Sequence, residues 1–247
     1  MKKYLSAVVM IFFLFSSRAQ DTLSIGEKNI IGLFGGIFNI AKEKMMADMR
    51  TNGNRSILGN ALRETIGGIF KSTKDRILSN GAGNLAIDLP SILNKQQPLL
   101  TQRGKANLLS DFKSSLKTAA QNALNNSLLN MADQLLELDV NALVNNANSE
   151  TLSFTDLFKN TQHNKMVGMI KPVAKTAFKL SGGKKLYNKI AREVKKGTSE
   201  KLSLDNEELI ATKAVDYFFE SMMIEENDFK KNPLNALGDV INGLFNK

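Results

Sequence analysis

The sequence predicts an all-α fold, an irregular multi-helix bundle with no substantial sheet. Apolar residues recur at intervals of three and four along most of the chain from residue 57, which is the spacing of one helix face. Glycine and proline interrupt this pattern where one helix would end and another begin. One short segment, 85–90, reads as extended because Pro90 disfavours helix at the residue before it, and we assign no sheet to so short and isolated a segment.

The N-terminus has the pattern of a secretory signal, at residues 1–19. Two lysines precede an apolar run over 4–15, and the tripeptide SRA at 17–19 has the small-x-small pattern of a cleavage site. The apolar run is too short for a comfortable membrane span. We therefore predict an exported protein, periplasmic or secreted after cleavage at Ala19. The alternative is a retained N-terminal anchor.

The amino-acid composition excludes disulfide-stabilised and lipid-anchored proteins and indicates a mildly basic surface. The chain has 247 residues, a formal charge of +9, one histidine and no cysteine. Without cysteine there are no disulfides and no lipoprotein anchor. The predicted signal carries three bases and no acid, so the chain after cleavage carries +6 instead of +9. This mildly basic balance favours anionic surfaces without selecting one. No second segment is apolar for long enough to span a bilayer.

Residues 20–56 are predicted to form a helical extension that precedes the main domain at 57–247. The extension contains an apolar, glycine-containing run, IIGLFGGIFNI, over residues 30–40. One interpretation is an amphipathic helix that binds a surface. The interpretation that we favour is a helix docked on the rest of the protein by its apolar face.

The main domain is predicted to hold successive helices. The pattern indicates helices over 57–78, over 91–138 with an interruption at 103–104, at a short stretch capped by Ser153, from Thr161 onward, and over 184–196. Asparagines at 122, 125, 126 and 130 lower helix propensity, so we expect a kink or break near them. Pro172 should kink its helix or mark the true start of it.

The clearest helix pattern lies between Leu204 and Phe245. Asp205 is a good N-cap, and Glu208 stands three residues later, where it can close a capping box. The apolar face that follows comprises Ala211, Val215, Phe218, Phe219 and Met222. Asn232 and Pro233 are suited to begin a second helix. We interpret the aromatic and methionine face as core; the functional alternative is a lipid or hydrophobic pocket.

Catalytic and metal-binding patterns are weak. His163 is the only histidine, which excludes the common zinc sites, and a Ser-His-Asp triad would have to use it, although a surface position is the better interpretation. A carboxylate-dependent hydrolase needs paired acids, whereas the helical pattern directs Asp216 and Glu220 outward. The acids at 225, 226 and 228 come closest to a calcium loop but are interpreted as a solvated helix end.

The strongest candidate site is a basic helix. In the preceding segment, SGGK at 181–184, Gly182 and Gly183 are predicted to turn the chain. The segment resembles a phosphate loop only superficially, because it lacks the full spacing and follows a helix. The candidate anion-binding residues are Lys184, Lys185, Lys189, Arg192 and Lys196. They could hold a lipid phosphate or another polyanion. The alternative is an ordinary solvated helix face.

Five segments occur in an order that resembles a known bacterial family. They are IDLP at 87–90, LLSDFKSSLKTAAQNA at 108–123, SFTDLF at 153–158, LYNKI at 186–190 and the segment from ATKAV to KKNP at 211–233. The family is catalogued as domain of unknown function 4197, and the resemblance covers roughly residues 57–247. It implies an exported, mainly helical domain. It supplies no activity, catalytic residue or cofactor.

From the sequence we expect a non-enzymatic binding or structural protein of the cell envelope, with a lipid-like or anionic ligand. The expected partner is a lipid or an envelope protein. Sequence-specific nucleic-acid binding is not expected, because no recognised module is present. Two alternatives remain open: a carboxylate-dependent hydrolase that acts on envelope polymers, and a pure protein-interaction module. We predict no catalytic residue, no metal site and no cofactor.

Overall fold

The computed structural model describes residues 55–80, 83–137, 139, 153–198 and 201–231. Within these residues the regular structure is entirely α-helical, which confirms the all-α prediction. The helices in chain order are α1 (Arg55–Asn80), α2 (Ser91–Asn94), α3 (Gln97–Gln102), α4 (Leu108–Leu136), α5 (Phe154–Leu180), α6 (Gly183–Gly197) and α7 (Asn206–Lys231). Residues 85–90 carry no regular structure, although Leu85 and Ile87 are buried.

Three predictions fall outside the described residues. They concern the signal at 1–19, all but the last two residues of the extension at 20–56, and the helix expected to begin at Pro233. The described chain divides into two compact units. Of the described residues, one unit takes in 55–70, 135–137, 139, 153–161 and 223–231, and the other takes in 71–80, 83–134, 162–198 and 201–222. Four helices, α1, α4, α5 and α7, contribute residues to both units.

The unit formed by 71–134 and 162–222 is built around aromatic contacts. The ring of Phe112 on α4 meets that of Phe178 on α5 edge-on, with centroids 6.1 Å apart. It also lies 5.9 Å from the ring of Tyr187 on α6. Fully burying one such side chain contributes roughly 1.5–3 kcal/mol. Phe112 therefore helps to hold three helices in place.

The other unit has a smaller described core. Its largest fully buried side chains are Phe154 and Phe158, at the start of α5, and Ile66 and Ile69 on α1. The capping interactions predicted for Ser153 are present. Its hydroxyl accepts a hydrogen bond from the backbone N–H of Asp156 at 2.9 Å and lies 2.8 Å from the Asp156 carboxylate. Both groups thus stabilise the first turn of α5.

Two predicted breaks are absent from the described helices. Helix α4 runs without interruption past the asparagines, because Leu124, Leu128 and Met131 on one of its faces are buried. Their burial outweighs the propensity loss of roughly half a kcal/mol for each asparagine. Helix α5 likewise joins the two helices predicted at Ser153 and Thr161 into one.

Pro172 does not mark the start of a helix, because α5 begins 18 residues earlier and continues to Leu180. A proline inside a helix removes a backbone hydrogen bond and costs about 3 kcal/mol. On the same helix Met166, Ile170 and Ala174 are completely buried. Their burial explains why the helix persists through the proline.

Candidate anion-binding site

The turn between α5 and α6 is built from two glycines with different roles. Gly182 has a φ of 77°, in the left-handed region that favours glycine. Gly183 packs closely, because a Cβ atom there would lie 2.2 Å from the Phe178 ring and 2.6 Å from Oγ of Ser115. Gly182 thus allows the chain to reverse before α6, and Gly183 allows the first residue of α6 to pack directly against Phe178 and Ser115.

Helix α6 presents one apolar face to its unit, as the sequence predicts. Ile190 and Val194 are completely buried, and Tyr187 is half-buried. The Tyr187 hydroxyl donates a hydrogen bond to the carbonyl of Leu202 at 3.3 Å. Burial raises the pKa of this hydroxyl above its ordinary value. The opposite face of α6 is therefore the one left in water.

The far end of α6 is held against α3. A Cβ atom at Gly197 would lie 2.5 Å from the side chain of Leu99, so the helix end approaches that leucine closely. Nε of Arg103 lies 3.0 Å from a carboxylate oxygen of Glu193. This hydrogen bond lowers the pKa of the Glu193 carboxyl. The acid of α6 is thus engaged with Arg103.

The exposed face of α6 lies beside a shallow surface depression of about 490 Å³. Its lining residues are Lys179, Lys184, Lys185, Asn188, Lys189 and Arg192. All six are exposed, and this described lining contains no acidic residue. Five positive charges and one amide therefore surround a single concavity.

Four of the five candidate residues from the sequence lie in this lining: Lys184, Lys185, Lys189 and Arg192. The fifth, Lys196, does not, and its ammonium lies 3.4 Å from Glu193 instead. Sequence reasoning missed Asn188 and Lys179. Asn188 could have been found, because it stands one helical turn after Lys184. Lys179 opens the basic stretch 179–201 of the sequence, but it belongs to α5, and the turn brings it to this face.

The lining residues repel one another. Lys185, Lys189 and Arg192 follow one another at intervals of four and three, so they are neighbours on the helix surface. Like charges at this spacing cost roughly 0.2–0.5 kcal/mol per pair. Within the described part of the chain none of the five basic residues forms an ion pair. A bound anion would relieve this repulsion.

A second polar cluster joins α5 to α7. Nε2 of His163 lies 3.0 Å from Oδ1 of Asp216, and the His163 ring stacks on Phe219 with centroids 6.1 Å apart. The side chains of His163 and Asp216 are only 24% and 30% exposed. Both side chains are therefore half-buried, whereas the sequence predicts a surface position for His163 and an outward direction for Asp216. Each residue covers the other, which a single helix pattern does not reveal.

This pair does not have the geometry of a catalytic triad. Nδ1 of His163 lies 3.4 Å from the side-chain oxygen of the adjacent Asn164. Among the described residues no serine hydroxyl hydrogen-bonds to either ring nitrogen. A triad needs one ring nitrogen to face the nucleophile and the other to face the acid. The arrangement accounts for a structural link between two helices.

Glu226 is the most deeply buried acid in the described residues, with no exposed surface. Its carboxylate accepts hydrogen bonds from the backbone N–H groups of Phe154 and Thr155. The ammonium of Lys230 lies 2.7 Å away. The prediction that Glu226 belongs to a solvated helix end is wrong. Glu226 stands four residues after the buried Met222, on the continuation of the same apolar face. That spacing is the sequence feature that indicates its burial.

The family resemblance is confirmed by a match over residues 52–246 to a family described as "Protein of unknown function (DUF4197)". The chain belongs to this family. Comparisons with curated proteins and with solved structures gave no match. The family description of this DUF4197 protein assigns no activity.

Two further findings concern the described residues of the DUF4197 chain alone. No group of three or more histidine, aspartate or glutamate side chains there could hold a metal ion. None of the helices in those ranges is long and apolar enough to cross a membrane.

Proposed function

We propose that this DUF4197 protein is an exported, non-enzymatic binding protein of the cell envelope that holds phosphate-bearing anions in the basic depression. The observation that carries the proposal is the depression lined by five basic residues with no acid among them. The signal pattern at residues 1–19 supports export.

The composition of the lining suits phosphate. Arg192 offers a planar fork of donors that matches two phosphate oxygens, and lysines add compact positive charges. Asn188 adds an amide that can donate without changing the charge. An ordinary solvated helix face would explain the lysines of α6. It would not explain why Lys179, from another helix, adds its charge to the same depression.

The alternatives are less well supported by the described surface. A carboxylate-dependent hydrolase needs two acids facing one concavity, whereas the lining of the depression is basic throughout apart from Asn188. A pure protein-interaction module would need a surface that favours a protein partner over small anions. The described lining offers charge and one amide but no apolar residue for a protein partner to cover.

The experiment is a calorimetric titration of the purified protein with pyrophosphate at low ionic strength, where charge interactions are least screened. The triple variant Lys184→Gln, Lys189→Gln, Arg192→Gln removes three charges from the depression. We expect its affinity to fall by on the order of tenfold, since each exposed charge contact contributes up to about 1 kcal/mol.

The matched control removes three exposed lysines of the same unit that lie outside the depression: Lys71→Gln, Lys95→Gln and Lys165→Gln. It lowers the net charge equally and should leave the affinity within about twofold of the parent, because only long-range, screened charge is lost. Equal losses in the two triple variants, or no pyrophosphate binding by the parent, would contradict the proposal.

A further inference from the structure

Leu180 is the most exposed large apolar residue among the described residues, at 80%. It is the last residue of α5, directly after Lys179 and just before the two-glycine turn that leads to Lys184. An exposed leucine by itself is ordinary on a protein surface. This one stands at the tip of a turn between two lysines that line the basic depression.

We infer that the depression docks on an anionic lipid surface, with Leu180 entering the boundary between head groups and acyl chains. The inference rests on the proposed function and names the source of the phosphate. Lipid phosphates lie at the level of the head groups, and the acyl boundary begins within roughly 5–10 Å of that level. One surface therefore offers partners for the basic side chains and for the leucine together.

A free polyanion would provide partners for the basic residues of the depression but none for Leu180. It would neutralise the lysines and Arg192 but would leave Leu180 in water. At a bilayer the apolar stems of the lysines can lie along the acyl boundary while their ammonium groups reach the phosphates. Each basic residue near an anionic membrane surface makes the free energy of membrane binding more favourable. A single apolar side chain that enters the acyl boundary adds a hydrophobic contribution.

Leu129 supplies the matched control within the same unit. It is nearly as exposed as Leu180, at 73%, and lies on α4. Its neighbours one turn away along that helix are Asn125, Asn126, Ala132 and Asp133, and the helix carries no basic residue after Lys117. Leu129 thus has nearly the exposure of Leu180, without basic neighbours along its own helix.

The first experiment measures co-sedimentation with vesicles that contain phosphatidylglycerol, compared with vesicles of phosphatidylcholine alone. We expect binding to the anionic vesicles, and a loss of roughly three- to tenfold in Leu180→Ser, since only part of a leucine side chain leaves water. Leu129→Ser should bind like the parent. Every variant carries the same N-terminus, so any lipid affinity of that segment is common to all of them.

Pyrophosphate titration of the same variants separates the two proposals. Leu180→Ser should bind pyrophosphate like the parent, whereas the triple variant at 184, 189 and 192 should lose affinity for both pyrophosphate and vesicles. If pyrophosphate binds and anionic vesicles do not, the lipid inference is overturned and the proposed function stands. If neither binds, both are overturned.

The second experiment uses the absence of tryptophan from the sequence. In Leu180→Trp and Leu129→Trp the new indole is the sole tryptophan, so its emission reports one position. Anionic vesicles should shift the emission of Leu180→Trp to shorter wavelength and leave that of Leu129→Trp unchanged. Equal shifts at both positions, or no shift at 180, would overturn the insertion of Leu180.

Discussion

Glu226 caps the helix that begins at Phe154, 72 residues earlier in the chain. One carboxylate oxygen lies 3.0 Å from the backbone nitrogen of Phe154, and the other lies 2.7 Å from that of Thr155. The first N–H groups of a helix have no partner within it, and they carry the positive end of the helix dipole. A buried carboxylate from α7 therefore satisfies the start of α5.

Replacing Glu226 with alanine should destabilise the protein by about 2–4 kcal/mol, because two buried N–H groups lose their acceptor and Lys230 loses its partner. Glu226→Gln should cost less, since one acceptor oxygen remains. Urea unfolding followed by circular dichroism measures both. The control is Glu220→Gln, an exposed acid of the same helix, with an expected change below about 0.5 kcal/mol. Equal effects at 220 and 226 would contradict the capping role.

Gly183→Ala should destabilise the protein by about 1–3 kcal/mol, since the added Cβ would overlap the Phe178 ring and Oγ of Ser115. The control is Gly168→Ala on α5, where nothing lies within 4 Å of the added atom. That change should stabilise by roughly 0.5–1 kcal/mol, because alanine is the better helix former. Thermal unfolding of both variants measures the difference. Changes of the same sign in both would refute the close packing at Gly183.

His163 and Asp216 should be energetically coupled by about 0.5–1.5 kcal/mol, as expected for a partly buried hydrogen bond. A double-mutant cycle with His163→Ala and Asp216→Ala isolates this energy from the stacking of His163 on Phe219. The free energies of unfolding at pH 7 supply its four values. Additive effects, within about 0.3 kcal/mol, would show that the 3.0 Å contact carries no stabilisation.

Lys171 links α5 to the start of α7, and its contribution should depend on pH. Its ammonium lies 2.9 Å from Asp205 and 3.0 Å from Glu208. The hydrogen bond from Lys171 lowers the pKa of Asp205, and the two acids raise the pKa of Lys171. The aspartate contribution is therefore present above its unfolded pKa of about 3.9 and is lost as pH falls through the folded value.

The lysine contribution is present below the unfolded pKa of about 10.4 and is lost only as pH rises through the higher folded value. Lys171→Met should thus reduce stability at pH 7, and its effect should shrink at pH 3. Urea midpoints of the parent and variant at the two pH values measure this. Lys175→Met, an exposed lysine of the same helix, should show no such difference. A Lys171→Met effect of equal size at both pH values would contradict the linkage.

Much of the local structure could be predicted residue by residue. The cap at Asp205 is present, because its carboxylate accepts a hydrogen bond from the backbone N–H of Glu208 at 2.9 Å. The Glu208 carboxylate does not return a hydrogen bond to the backbone N–H of Asp205. It pairs with Lys171 instead. The interruption at 103–104 and the turn at 182–183 are also confirmed, with positive φ at Gly104 and Gly182.

The errors share one physical cause. A kink or break at the asparagines, and a kink or helix start at Pro172, are predicted from local propensity, which amounts to fractions of a kcal/mol for asparagine and about 3 kcal/mol for proline. Burial of the apolar face of each helix contributes more in total. The partners of Glu226, His163 and Asp216 were missed for a related reason. Their contacts lie more than fifty residues apart in the chain.

The sequence by itself determined the all-α class, the glycine turn before α6 and the outward direction of its lysines, because each depends on neighbours within about one helical turn. Only the tertiary structure decided that Glu226 is buried, that Lys179 joins the lysines of α6 and that Arg103 pairs with Glu193. Each of these outcomes depends on contacts between residues that belong to different elements of the fold, and the pattern of a single helix does not contain that information.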